Sequence, residues 1–405
     1  MITILFTVFL DLLGFGILIP VIPLLLADPS SSYYLLPMGT PSSTGYLILG
    51  LLLTAYPLAQ FFSAPILGQL SDRFGRKPVL LISLLGTAFS YLLFAIGIHL
   101  HHLPLLFIGR ILDGITGGNI SVAQAAISDI TPPALRARNF GLIGMVFGLG
   151  FIIGPFLGGK LSDPTVLKSF DSATPFWFAF ILALINATLV LWRFQETHPA
   201  PNSQLKIEFT KSVSHVVKAF QLPKFKVLFS VSFLQQAGFS FFTTFFSVFL
   251  IRRFAFNQGQ IGDIFAYIGL WVAFTQGFLT RRLSFLKEYQ ILRVAMVGNA
   301  LSIFMFFLPQ QSFWLYFIIP IFSIQNGLVT ANLLGLISRS GNQDNQGEIL
   351  GINASLQALG QGIPPLLSGL LASRLDPSFP TLASALVLLC SAVIFNLFYR
   401  PNPAK

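Results

Sequence analysis

The sequence predicts an all-α membrane protein of twelve transmembrane helices in two pseudo-symmetric six-helix bundles. Three observations predict it. Only 9% of the 405 residues are charged while 54% are hydrophobic, with 44 Phe and a mean hydropathy of +0.77. A soluble domain of this length would carry that balance only with large exposed apolar patches. Apolar runs recur along the whole chain, each long enough to cross the roughly 30 Å hydrocarbon core of a bilayer at about 1.5 Å per helical residue. Finally, Gly and Pro positions in the first half reappear in the second at a constant spacing.

The runs are Ile2 to Leu26, Gly45 to Leu70, Pro78 to Ile98, Pro104 to Ser128, Asn139 to Leu161, Pro175 to Trp192, Val227 to Ile251, Ile261 to Leu279, Ile291 to Leu308, Phe313 to Ile337, Ile349 to Ala372 and Leu382 to Tyr399. The first lacks a basic leader and carries Pro20 and Pro23 where a cleavage pattern would lie, so it reads as a retained helix. Between the second and third runs stands a charged island, Gly68-Gln69-Leu70-Ser71-Asp72-Arg73-Phe74-Gly75-Arg76-Lys77, which marks a membrane–water boundary.

Loops rich in Lys and Arg stay cytoplasmic. With the N-terminus inside, eighteen of the 24 Lys and Arg fall on the inner face and five on the outer, and Arg110 lies within a membrane segment. Both termini and the island are therefore expected in the cytoplasm. This also accounts for the net charge of +10 without invoking nucleic acid. The domains expected are an N-terminal bundle over 1–194, a linker over 195–224 and a C-terminal bundle over 225–405. Within the linker, Phe209, Val213, Val216, Val217 and Phe220 follow helical spacing with Lys211 and Lys218 interleaved. A helix on the inner leaflet and a solvated linker both fit that pattern.

The repeat has an offset of 210: Gly117 with Gly327, Ser128 with Ser338, Gly141 with Gly351, Gly150 with Gly360, Pro155 with Pro365 and Gly159 with Gly369, without a gap. Parallel repeats of this kind imply two bundles that rock around a central cavity.

Four signatures then carry a resemblance: the island, with Gly68, Leu70, Asp72, Arg73, Gly75, Arg76 and Lys77; the fifth segment, with Gly150, Gly154, Pro155, Gly158 and Gly159; the first, with Asp11, Gly14, Gly16, Pro20 and Pro23; and the fourth, with Arg110 and Gly114. Over essentially its whole length the chain resembles the twelve-helix drug/proton antiporters of the major facilitator superfamily, the tetracycline efflux proteins among them. The resemblance implies alternating access and a conformational gate in which the island meets Asp129, Arg136 and the start of the eleventh segment. Two departures bear on substrate. The tetracycline proteins carry an acid in the third segment where this chain has Ser90, and a small residue in the fourth where it has Asp113. The island's counterpart in the second half is degenerate, keeping Gly277, Leu279, Arg281 and Arg282.

Ionisable residues within the bilayer are costly and default to function. Arg110, Asp113, Gly117, Ser121, Gln124 and Ser128 share one helical face, expected to line the cavity. Arg110 and Asp113, one turn apart, can pair until substrate or a conformational change lets a proton bind, and Asp11 is a second candidate for proton coupling. A static ion pair and an interhelical anchor are the competing readings of these acids. Asn119, Gln124, Gln235, Gln236, Asn326, Asn332, Asn353 and Gln357 are the neutral polar positions assigned to a substrate cavity, although each also suits interhelical hydrogen bonding.

No enzyme site emerges. The single Cys390 precludes an intrachain disulfide, and His99, His101 and His102 have no nearby carboxylate or thiol in sequence to build a metal site. The chain is thus expected to be a monomeric, multi-pass cell-membrane carrier of a small molecule, with protons as coupling ion and no other cofactor. A metabolite carrier of the same fold and a non-transporting receptor are the alternatives.

Overall fold

The computed structural model describes residues 2–37, 39–131, 136–198, 207–223, 225–340 and 346–401. Among them no strand occurs, and nine helices are long and apolar enough to cross a membrane. The helices are α1 (Ile2–Leu26), α2 (Ser42–Phe74), α3 (Arg76–His99), α4 (Leu103–Thr116), α5 (Asn119–Asp129), α6 (Arg136–Leu161), α7 (Thr174–Arg193), α8 (Lys211–Gln221), α9 (Lys226–Phe254), α10 (Gln258–Phe274), α11 (Thr280–Arg282), α12 (Glu288–Met305), α13 (Leu315–Ser340), α14 (Gln346–Arg374) and α15 (Phe379–Phe398). The chain packs as two units, Met1–Lys211 with Phe256–Ala266, and Ser212–Ala255 with Tyr267–Lys405.

In the first unit α1 packs on α6, α3 on α4 and α7, and α2 on α4. The expected fourth segment is one span over Leu103–Asp129 with a local break: α4 stops at Thr116 and α5 starts at Asn119, with Gly117 and Gly118 between them. A β-carbon on Gly118 would lie 2.8 Å from the Ala64 backbone, so the two glycines let α2 press against the break. Consecutive glycines weaken the helix at the point where that approach is needed.

In the second unit α9 lies against α14 and α15, and α12 against α13 and α15. Its core contains a phenylalanine cluster, with Phe242 stacked on Phe246 at 4.3 Å between ring centroids and Phe322 at 4.6 Å from Phe242. A π-helical turn, Thr275–Leu279, follows α10 where the degenerate copy of the island begins, and Thr280 Oγ1 donates to the Thr275 carbonyl at 3.0 Å. Such a turn inserts an extra residue; the Thr275 carbonyl accepts the Thr280 N–H across it and takes the hydroxyl as a second donor.

Candidate functional site

Three groups of residues in the first unit have the geometry of working parts. The first lies deep among α1, α2, α3 and α4. Arg110 is 1% exposed and Asp113 is 6% exposed, and Arg110 Nη1 donates to Asp113 Oδ2 at 3.3 Å. The guanidinium also lies 4.7 Å from the centre of the Tyr56 ring, a cation–π contact in a desolvated setting. Tyr56 is fixed in turn by Gln60, whose Nε2 donates both to the phenol oxygen at 3.0 Å and to the Gly117 carbonyl at 2.8 Å. The loosened turn after α4 is therefore pinned to α2.

Asp11 on α1 is within electrostatic range of Asp113, and its Oδ2 is shielded from solvent with no hydrogen-bond partner. Beside it, Asn119 is fully buried and its side-chain amide faces the Asp11 carboxylate, beyond the range of a well-formed hydrogen bond. Orphaned buried polar atoms are rare in folded proteins and point to water or a ligand. Two voids meet at Asp11, each of about 10 Å³, by a measure in which one water needs roughly 10–15 Å³. One is lined by Asp11, Tyr56, Tyr91, Asp113 and Gly117, and the other runs toward Asn186 on α7. Asn186 accepts from Thr7 Oγ1 at 3.2 Å, while its Nδ2 stays unpaired. Ser90 on α3 donates to the Gly86 carbonyl of its own helix at 2.9 Å, so α3 brings no acid here.

The second group is the island. Arg76 is its centre: Nε donates to Asp129 Oδ2 at 2.9 Å, and Nη1 reaches both Ser71 Oγ at 2.6 Å and Asp72 Oδ1. One buried guanidinium thus ties α2, α3 and α5 together. Arg73 lies over the Phe74 ring at 5.1 Å and joins no ion pair among the described residues. Gly75 has φ +98°, a backbone region that favours glycine. Gly68, expected to permit close helix approach, has Ser121 Oγ as its nearest neighbour at 3.8 Å, an ordinary contact. The side chain of Arg136 lies outside the described residues.

A residue that sequence reading passed over completes this group. Glu196, just beyond α7, accepts the backbone N–H of Arg76 at 2.8 Å and of Lys77 at 2.9 Å, and those of Thr197 and His198 at 3.0 Å each. α3 opens on two basic residues with no acid in its first turn, so its N-terminal dipole is uncompensated from within. Glu196 supplies the missing charge from 120 residues away. Partial burial alone would raise this carboxyl, but the four N–H donors outweigh it and hold it below the usual carboxylate range. A β-carbon at residue 75 would come within 2.6 Å of Glu196 Oε2, so glycine is needed there for space as well as for φ.

The third group is the glycine series of α6. β-Carbons on Gly150, Gly154 and Gly158 would lie 2.5, 2.7 and 2.4 Å from Leu12, the Leu13 carbonyl and the Ile17 carbonyl, so every fourth residue of α6 lies against the α1 backbone. Gly159 turns to the other side and meets Gln258 and Gly262 of α10, while Pro155 lies beside Gly16 and its carbonyl faces Gly262.

The face expected along the fourth segment divides at the break. Arg110, Asp113 and Gly117 are buried, Ser121 Oγ donates to the Ala64 carbonyl at 3.0 Å, Gln124 is exposed and Ser128 is half-buried. In the second unit Asn353 accepts from Ser232 Oγ at 2.6 Å, and Asn332 Nδ2 donates to the Leu328 carbonyl at 2.7 Å. Those two are engaged as helix–helix and intrahelical contacts. Gln235 is buried with Nε2 unpaired, and Gln236, Asn326 and Gln357 are half-buried. Asn299 on α12 is fully buried, with both side-chain amide atoms unpaired.

Residues 4–365 match the sequence model of the Major Facilitator Superfamily. Tetracycline resistance protein, class C, of Escherichia coli is 33% identical over 376 residues, covering 91% of this chain and 88% of that one. Major facilitator superfamily domain-containing protein 10 of Mus musculus is 28% identical over 434 residues, covering 98% and 92%. Among solved structures, a D-xylose-proton symporter superposes with a TM-score of 0.78 at 14% identity, over 100% of this chain and 98% of the other.

Proposed function

We propose that this chain, which belongs to the major facilitator superfamily and is an integral membrane transporter rather than an enzyme, exports amphiphilic small molecules in exchange for protons. The observation that carries the reading is the buried set Asp11, Arg110 and Asp113 beside two water-sized voids. Asp11 and Asp113 line one void while the single guanidinium, Arg110, pairs with Asp113, which leaves the two acids with one cation between them; in a site of low dielectric that imbalance favours uptake of a single proton. Asp113 carries that proton once its pairing with Arg110 loosens, and Asp11 with Asn119 relays or shares it through water in the voids.

Similarity to proteins named for tetracycline resistance supports efflux as the direction and drug-like compounds as the class. The membrane acids sit on α1 and α4 and not at Ser90 of α3, a departure that weighs against tetracycline itself as the cargo. Alternating access moves the bundles 1–194 and 225–405 against each other, with both termini cytoplasmic, as the uneven distribution of basic residues supports. The Arg76 network latches the cytoplasmic end, and the close α1–α6 contact through Gly150, Gly154 and Gly158 keeps the first bundle rigid while it moves.

The test uses inverted membrane vesicles preloaded with a proton gradient and offered fluorescent dyes, antibiotics and cationic drugs. Gradient-dependent accumulation that collapses with a protonophore supports antiport. Movement of sugars or organic acids with no effect on any amphiphile would favour a metabolite carrier instead.

A further inference from the structure

The circumference of α8 is divided among three surroundings. At about 100° per residue, Ser212, His215 and Ala219 lie on one side, Val213, Val217 and Phe220 on a second, and Lys211, Ser214 and Lys218 on a third. The first side is packed. Ser212 and Ala219 are buried, Ala219 joins the apolar core with Leu228 and Phe229, and His215 Nδ1 lies 3.1 Å from Ser355 Oγ of α14. The second side is apolar and open, with Val213 48%, Val217 50% and Phe220 62% exposed. On the third, Lys218 Nζ donates to Glu348 Oε1 at 2.6 Å.

That ion pair fixes the level of the helix. Glu348 is the acid in the first turn of α14, and the apolar run that begins at Ile349 follows it directly. A charged residue next to an apolar run marks where α14 enters the hydrocarbon, so α8 lies at the same boundary. A soluble helix buries its apolar side on its own protein; α8 packs Ser212, His215, Val216 and Ala219 inward and still leaves a second apolar side, Val213, Val217 and Phe220, outward. The geometry points to the lipid bilayer itself as the occupant of that side: α8 is an interfacial helix, with Val213, Val217 and Phe220 sunk into the acyl boundary and Lys211 and Lys218 at headgroup level. The inference does not rest on the proposed transport direction or cargo.

The test is made on the full-length protein with Cys390→Ser, carrying one new cysteine at a time (Val217→Cys, Phe220→Cys or Ser214→Cys), labelled with an environment-sensitive nitrobenzoxadiazole dye. Each is reconstituted into vesicles of phosphatidylethanolamine and phosphatidylglycerol, with and without brominated acyl chains. Dyes at 217 and 220 are expected to emit blue-shifted light and to be quenched several-fold more strongly by brominated lipid than the dye at 214. Equal, water-like emission at all three positions would overturn the assignment. So would a blue shift at 217 and 220 without lipid quenching, which is what burial against a second copy or a soluble partner would give.

Discussion

The carboxylate of Glu196 accepts the backbone N–H of Arg76 at 2.8 Å, and through that bond the end of α7 holds the start of α3, whose first side chain ties Asp72 to Asp129. The helix cap and the ion-pair network thus converge on Arg76, which gives the α2–α3 turn a second tie independent of its ion pairs.

Replacing Glu196 with Ala should lower stability by about 1 kcal/mol or less, the range of a lost helix cap reduced by solvent screening. The sign of its pH dependence follows from the depressed carboxyl. The stabilisation is present above the ordinary glutamate value and is lost as pH falls through the lowered folded value. Thermal unfolding in detergent, wild type against Glu196→Gln, should therefore differ at neutral pH and converge in strong acid.

Gly75→Ala meets two obstacles at once, φ +98° and a β-carbon 2.6 Å from Glu196 Oε2. Strain of about 1–3 kcal/mol is expected, with Glu196 expelled from the α3 terminus. A melting temperature lower than that of Glu196→Ala would show both effects; a wild-type value would mean that the turn can be rebuilt.

Along α6 the glycines differ in what surrounds them. Gly154→Val would drive a branched side chain into the Leu13 carbonyl and Gly16, and should abolish transport by parting α1 from α6. Gly148→Ala meets nothing within 4 Å and should be neutral or stabilising by up to about 1 kcal/mol through helix propensity. Paired transport and unfolding measurements on the two variants check the contrast.

Nine of the twelve expected spans recur among the described residues as helices long and apolar enough to cross a membrane, and they were legible in the sequence because bilayer thickness fixes the length of an apolar helix, a one-dimensional constraint. The two buried acids and Arg110 were legible for the same reason, since a charge in an apolar run stands out. The break at Gly117–Gly118 was not, because a helical face with the right spacing continues through it; what interrupts the helix is the approach of α2 at Ala64, a tertiary fact. Glu196 was hidden for a similar reason: it reads as one charge in a polar linker, and its role exists only once α7 returns beside α3. The one available hint was the start of α3 on Arg76 and Lys77, which leaves a helix N-terminus in want of a carboxylate. The hydrogen bonds of Asn353 to Ser232 and of Asn332 to Leu328 were not legible either, since an amide that joins helices and one that binds substrate look the same in sequence.

The most direct test of proton coupling is proton-gradient-driven efflux by Asp113→Asn, measured in reconstituted vesicles beside gradient-independent exchange of the same substrate. Coupling through Asp113 predicts that driven efflux is lost while exchange persists, because asparagine keeps the shape of the site and cannot bind or release the proton. Driven efflux at the wild-type rate would contradict it.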